Sequence, residues 1–242
     1  MKVAVISDVH GNLPALESVL AAIEQEDATE LWCLGDLVGY NADPEACTRS
    51  VIEEAEICLA GNHDLVVNGT VDVAVFAHDA AVAARWAAQT LSKEALEMLR
   101  TLKPSGRRAG IVMHHASPRD PVWEYVIDSR TAQTCLDVQE ADLCLIGHSH
   151  VPLAYTPGAE GRATGGHMPP SQIELGDGRW LLNPGSVGQP RDSDPRAAYM
   201  VLDTEAGTAT WRRVDYAIDR AQRAIMEAGL PPTLALRLAE GR

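Results

Sequence analysis

The chain has 242 residues, 46% hydrophobic and 22% charged, which suits one soluble domain with a substantial core. Its formal net charge of −14 excludes non-specific attachment to a nucleic-acid backbone, which needs a basic surface. No apolar run approaches a bilayer span, and Val3-Ala4-Val5-Ile6 ahead of Ser7 and Asp8 is too short for a signal peptide's apolar region, so a cytoplasmic location is expected.

Short apolar runs alternate with helical stretches through the first half. Lys2–Ser7 reads as a strand. Asn12 then caps a helix with Pro14 in its first turn and Leu16, Val19, Leu20 and Ile23 on one face. Leu31–Leu34 is a second strand, Asp43-Pro44 opens a helix, and Glu56–Ala60 is a third strand. Val75–Leu91 and Ser92–Leu102 read as helices, Ala109–Met113 as a fourth strand, Asp128–Gln139 as a helix and Asp142–Ile146 as a fifth strand. This alternation predicts a largely parallel sheet with helices outside.

The second half changes character. Val151–Thr156, Gln172–Leu175, Arg179–Asn183, Ala197–Asp203 and Thr208–Val214 read as strands joined by short turns such as Gly176-Asp177-Gly178, the pattern of antiparallel hairpins. An amphipathic helix, Ala217–Ala228, and a short one after Pro231-Pro232 end the chain, and the Gly/Pro-rich stretch 157–170 reads as an exposed loop insertion. No linker divides residues 1–242. The expected architecture is a single α/β domain, a four-layer α/β/β/α sandwich of two mixed sheets flanked by helices. The five cysteines lack a CxxC, and three lie in apolar strand-like runs, so buried free thiols are expected.

The residues immediately after the strands carry the chemistry. The five junctions read Asp8-Val9-His10, Gly35-Asp36, Gly61-Asn62-His63-Asp64, His114-His115 and Gly147-His148-Ser149-His150. Strand carboxyl ends share one crevice in open α/β sheets. Asp and Asn favour turns, which accounts for any one junction but not for five together. In an extended backbone His148 and His150 would point to the same side. No GxSxG nucleophile elbow is present, and the first junction lacks GxGxxG. Imidazoles and carboxylates without thiolate suit Mn, Fe, Zn, Co or Ni. Seven candidate ligands exceed what one ion takes, so two divalent transition-metal ions are implied. Paired ions clamp the attacking and leaving oxygens in displacement at phosphorus.

In this order the five motifs resemble the calcineurin-like metallophosphoesterases, and the match spans nearly the whole chain. GDLVGYN, HHASPRDP and LLNPGSVGQPRD are similar to the compact bacterial and archaeal branch of phosphodiesterases and phosphatases. The resemblance implies that Asp8, His10 and His150 hold one ion, that Asp36 bridges, and that Asn62, His115 and His148 hold the second. His63 would be the catalytic acid, an imidazole titrating near neutrality, with Asp64 supporting it. The implied activity is in-line attack by a metal-bridging hydroxide on a small phosphoester, a nucleotide-like phosphodiester first and a phosphomonoester second. Two divalent ions outweigh two carboxylates, so the site would be locally positive on an acidic chain. Long nucleic acids and membranes are not expected as partners, and a homo-oligomer is left open.

Two stretches depart from the family's patterns. Its protein phosphatases read GDxVDRG, whereas Gly39 and Tyr40 stand here for the Asp and Arg, which puts a protein-phosphatase role in doubt. His-Gly-Ser-Pro is replaced by His115-Ala116-Ser117-Pro118, preceded by His114; alignment on Ser-Pro selects His115 and leaves His114 as a neighbour or a buried structural histidine. Arg191 reads as a phosphate contact or as a solvated loop charge. Asn183-Pro184-Gly185-Ser186 reads as a turn closing the site, Trp123 and Tyr125 as base-stacking or core residues, and His78 and His167 as unrelated to chemistry. A catalytically silent scaffold of the same fold is the alternative function.

Overall fold

The computed structural model describes residues 1–242. In chain order its strands are β1 (Lys2–Ile6), β2 (Glu30–Cys33), β3 (Ile57–Cys58), β4 (Ser105–Arg108), β5 (Ile111–His114), β6 (Leu143–Leu145), β7 (Leu153–Thr156), β8 (Thr164–His167), β9 (Gln172–Glu174), β10 (Trp180–Asn183), β11 (Ala197–Asp203) and β12 (Thr208–Val214). The helices are α1 (Leu13–Ile23), α2 (Pro44–Glu54), α3 (Asn62–Val67), α4 (His78–Thr90), α5 (Lys93–Thr101), α6 (Ser129–Val138), α7 (Ile218–Glu227) and α8 (Pro232–Glu240).

The strand β1 shows why the layers form. Successive side chains alternate sides, so Val3 and Val5 enter one apolar layer while Ala4 and Ile6 enter another, all fully buried. A strand covered on both faces needs an unbroken apolar run, which VAVI supplies. Two six-stranded sheets result, ordered β3-β2-β1-β11-β12-β9 and β4-β5-β6-β10-β7-β8. Their facing sides meet in a layer containing Trp32, Leu34, Met113, Leu145, Leu182 and Met200. The first sheet's other side buries Leu16, Val19, Val51, Ala84 and Leu99 from α1, α2, α4 and α5. The second sheet's outer side packs on Ala132, Cys135 and Leu136 of α6. The architecture is therefore α/β/β/α, with both sheets mixed. All five cysteines are free and four are buried.

Three local expectations change. The strands of the first half do not share one largely parallel sheet. Strands β1, β2 and β3 run parallel in the first sheet, and β5 and β6 run parallel in the second, because strand patterning does not encode which sheet a strand joins. The fourth strand begins after Ala109, not at it: Ala109 (φ 50) and Gly110 (φ 82) form a two-residue turn between β4 and β5, where positive φ at both positions suits a tight hairpin. The all-polar β4, Ser-Gly-Arg-Arg, gives no apolar signal. The stretch 157–170 is mostly exposed but is not only a loop. Its Thr164–His167 pairs with β7 as an edge strand, and two glycines hid it from a pattern reading. No helix is long and apolar enough to cross a membrane.

Candidate metal centre

The carboxyl ends of β1, β2 and β3 in one sheet, and of β5 and β6 in the other, converge at the same rim of the sandwich. The crevice is thus the seam between two sheets. Asp8, His10, Asp36, Asn62, His63, His115, His148 and His150 meet there, each at most 4% exposed. Ligand atoms of Asp8, His10, Asp36 and His150 all lie within 4.8 Å of one another, and so do those of Asp36, His115 and His148. Asp36 belongs to both groups. Its Oδ1 accepts the His63 backbone N–H (2.8 Å), while Oδ2 lies 3.5 Å from the Nε2 atoms of both His10 and His115. Asn62 Oδ1 is 3.2 Å from His115 Nε2.

The backbone bends sharply to present these groups. Asp8 (φ 55), His10 (φ 50), Asp36 (φ 56), His148 (φ 63) and His150 (φ 61) are all left-handed, a region that costs non-glycine residues energy and clusters at functional sites. The extended geometry expected for His148 and His150 is therefore corrected. The two imidazoles reach different clusters, His148 that of His115 and His150 that of His10. Gly61 makes room at the seam: a Cβ there would fall 2.0 Å from Asp36 Oδ1.

Imidazole orientation tests whether the cluster fits a cation. The Nδ1 atoms of His10, His115 and His150 face the carbonyl oxygens of Val38 (2.9 Å), Leu34 (2.8 Å) and Gln189 (2.7 Å). A nitrogen facing a carbonyl must donate, so Nδ1 carries the proton and a neutral ring keeps a bare lone pair on Nε2. Burial pushes His10 and His150 well below the usual histidine range, so both are neutral. Their Nε2 atoms nevertheless stand 3.0 Å apart. Two lone pairs at that distance repel unless a cation lies against both. His148 Nε2 is likewise buried without a partner, and burial holds that ring at about 3.

The carboxylates make the same demand. Burial, aided by Asp36, raises Asp8. Burial would raise Asp36 too, but the imidazoles of His115 and His63 hold it well below the carboxylate range. Burial opposes charge on His115, yet Asp36 and Asp8 lift it to about 9. The pocket therefore attracts positive charge where its lone pairs converge, and these buried Asp and His groups can hold metal.

Around the cluster some expectations hold and others change. Asp64 does not touch the His63 ring. Its buried carboxylate accepts the backbone N–H groups of Asp36 (2.9 Å), Leu37 (2.9 Å), Val38 (3.3 Å) and Gly61 (2.8 Å). Support of His63 by Asp64 is thus corrected: four amides in reach outcompete one imidazole, and Asp64 ties the β2 junction to the β3 junction. His63 Nδ1 has no partner. A Cβ on Gly39 would lie 2.3 Å from that atom, so the Asp-to-Gly departure leaves the nitrogen bare at the place where the absent side chain would stand. Phe76 and Tyr40 rings fill the surroundings, with centroids 4.4 and 4.5 Å from that of His63. Burial, reinforced by Arg191 and His115, lowers His63 to about 4 despite Asp36, and the near-neutral titration expected of it is corrected.

Arg191 lines a cleft of about 270 Å³ together with Asp36, Asn62, His63, His148 and His150, so it is not a solvated charge. Trp123 (37% exposed) and Tyr125 (47% exposed) stand on the cleft wall, not in the core. Tyr125 stacks on His148 at 4.1 Å. The Asn183–Ser186 turn closes the site through Asn183 Nδ2, which donates to the Gly147 carbonyl (2.7 Å), and Ser186 Oγ, which donates to the Asp8 carbonyl (2.8 Å). His114 turns away to Ser105 Oγ (2.8 Å), and His78 and His167 are exposed. Sequence reasoning missed Phe76 and the Val38, Leu34 and Gln189 carbonyls. A backbone carbonyl carries no side-chain signal, and Phe76, the only phenylalanine, lies outside every motif.

A sandwich of two mixed sheets with a buried Asp/His cluster at the seam defines a metallophosphoesterase fold. Residues 1–207 match the calcineurin-like phosphoesterase superfamily domain. An uncharacterized protein of Methanocaldococcus jannaschii is 34% identical over 99% of this chain and 98% of its own. A metallophosphoesterase from Sphaerobacter thermophilus is 37% identical with a TM-score of 0.90, covering 100% of this chain and 99% of its own. A hypothetical protein of Pyrococcus horikoshii, 19% identical, shares the fold at a TM-score of 0.81 over 100% and 98% of the two chains. The chain belongs to the calcineurin-like phosphoesterase superfamily.

Proposed function

We propose that this chain is a phosphoesterase whose cleft holds two divalent transition-metal ions, drawn from Mn, Fe, Zn, Ni and Co. Asp8, His10 and His150 would hold one ion, Asn62, His115 and His148 the other, and Asp36 both. The observation that carries this reading is the 3.0 Å approach of two lone pairs, His10 Nε2 and His150 Nε2, whose Nδ1 protons are committed to carbonyls. Such ions, when bound, polarise phosphoryl oxygens and lower the pKa of water.

The chain's own groups do the rest. The carbonyls of Val38, Leu34 and Gln189 fix three imidazoles in one tautomer, as outer partners of metal-bound histidines do. Arg191, with its Nε buried and unpartnered, binds and orients the phosphate as a charge-assisted donor. His63 stands beside Asn62 as a neutral ring that donates a hydrogen bond to the leaving oxygen, a weaker role than full proton transfer. The exposed faces of Trp123 and Tyr125 favour a substrate with a flat group to stack, a nucleotide-like phosphodiester before a phosphomonoester.

The test joins metal analysis by plasma emission to a panel of phosphomonoesters and phosphodiesters assayed with Mn²⁺, Zn²⁺, Ni²⁺ and Co²⁺. Two ions per chain and metal-dependent hydrolysis are expected. Less than one ion per chain after reconstitution with Mn²⁺, and no hydrolysis, would favour a silent scaffold and overturn the reading.

A further inference from the structure

Beside the groups of the candidate metal centre, Tyr40 on the cleft wall carries two cations, Arg191, which orients the reacting phosphate, and Arg237, which hydrolysis of a single phosphoester does not use. Two guanidinium groups lie over the Tyr40 ring, Arg191 Cζ at 5.7 Å and Arg237 Cζ at 5.9 Å from its centroid. Arg191 lies between β10 and β11, whereas Arg237 belongs to α8, a helix lying wholly beyond residue 207, where the family match ends. Tyr40 also packs against the apolar cluster that joins α7 to α8 through Ile225, Leu230, Leu234 and Leu238. That packing seats α8 beside the cleft.

Neither guanidinium has a carboxylate within ion-pair distance, although the chain carries 34 acidic residues against 20 basic ones and most of its arginines are paired. Arg191 Nη2 donates to Tyr40 Oη (3.3 Å) and to Gln189 Oε1 (3.0 Å), and its Nε is buried with no acceptor. Arg237 Nε donates to the Arg242 carbonyl (2.6 Å), and its terminal nitrogens have no acceptor. The nearby acid Asp79 is engaged by His78 (3.0 Å) and Thr233. Burial and the Arg191 charge both lower Arg237, so the neighbouring guanidinium disfavours the charge on Arg237. Stacking on Tyr40 accounts for one cation. It does not account for two like charges on one ring with no anion between them, an arrangement that a bound anion relieves.

We propose that Arg237, on the same Tyr40 ring as the Arg191 that orients the reacting phosphate, grips a second phosphoryl group, so that the cleft favours phosphoesters carrying a pyrophosphate-like pair of anions over those with a single phosphate. This names the substrate class of the site described above and rests on that reading.

Calorimetry on the Mn²⁺-loaded protein, at a clamped concentration of free Mn²⁺, compares inorganic orthophosphate with inorganic pyrophosphate. Hydrolysis of a p-nitrophenyl phosphoester is measured in parallel. Wild type should bind pyrophosphate at least about tenfold more tightly. Arg237→Gln should reduce that ratio about tenfold, as expected for loss of one charge-assisted contact. Arg223→Gln, which removes an exposed cation of α7 paired with Asp219, should leave the ratio at its wild-type value and so controls for net charge. Equal affinities in wild type, or a ratio that survives Arg237→Gln, overturns the proposal even where the ester is hydrolysed. Absence of hydrolysis counts against the phosphoesterase reading alone, since the binding ratio is measured without turnover.

Discussion

Asp64→Ala tests the most connected carboxylate of the site, one that touches neither the imidazoles nor the cleft. Its two oxygens accept four backbone N–H groups, those of Asp36, Leu37, Val38 and Gly61, at 2.8–3.3 Å, and the residue is fully buried. Truncation leaves four buried donors without acceptors. Each orphaned group costs roughly 1–3 kcal/mol, but adjacent amides share relaxation and water entry, so the costs do not add. We expect about 4 kcal/mol in total. For a chain of this size each kcal/mol lowers Tm by about 2–4 °C, which gives a fall of roughly 8–16 °C. Asp64→Asn keeps one acceptor but turns an NH₂ toward amide donors, so it should lose about half as much. Urea and thermal unfolding of the metal-free protein read the stability. Metal affinity of the folded variant should fall as well, because the Asp36–Val38 segment carries both the shared carboxylate and the carbonyl that orients His10. A stability change under about 1 kcal/mol, with only the leaving-group dependence of the rate altered, would refute the structural role and restore Asp64 as a partner of His63.

His115→Ala should remove one ion per chain, whereas His114→Ala, whose ring bonds to Ser105, should keep both; plasma emission on the two variants decides. Because burial holds His63 at about 4, the ring is neutral above that pH, and the rate–pH profile should show no inflection near the ordinary histidine value of about 6.5 that His63→Ala removes; such an inflection would reinstate proton transfer. Glu30 and Arg108 clasp the two sheets at the end opposite the site, with Nε–Oε2 at 2.6 Å and Glu30 only 19% exposed, and hydrogen bonds from Arg108 and Trp32 lower Glu30 to about 2. A depressed carboxylate adds stability above its unfolded pKa and loses it as pH falls. Glu30→Gln should therefore cost about 1 kcal/mol at about pH 7 after allowance for solvent screening, and only a small part of that near about pH 2. Equal urea midpoint shifts at both pH values would exclude the clasp.

The chemical content of the site is local in sequence. Asp8, His10, Asp36, Asn62, His115, His148 and His150 each come just after a strand end, and the alternating apolar runs place those ends without knowledge of the third dimension. The four layers are legible for the same reason, since period-two and helical patterns report which faces are buried. Partition of the strands between two sheets is not written there, because β1 and β5 are equally apolar and only packing chooses their neighbours. The polar β4 and glycine-rich β8 are held by pairing with β5 and β7, not by their own composition. Tertiary structure alone sends Asp64 to four amides instead of to His63, turns His114 outward, and brings Arg237 to the same ring as Arg191. Each of these contacts depends on residues that folding brings together, and side-chain identity fixes what a group can bind but not which partner comes within reach.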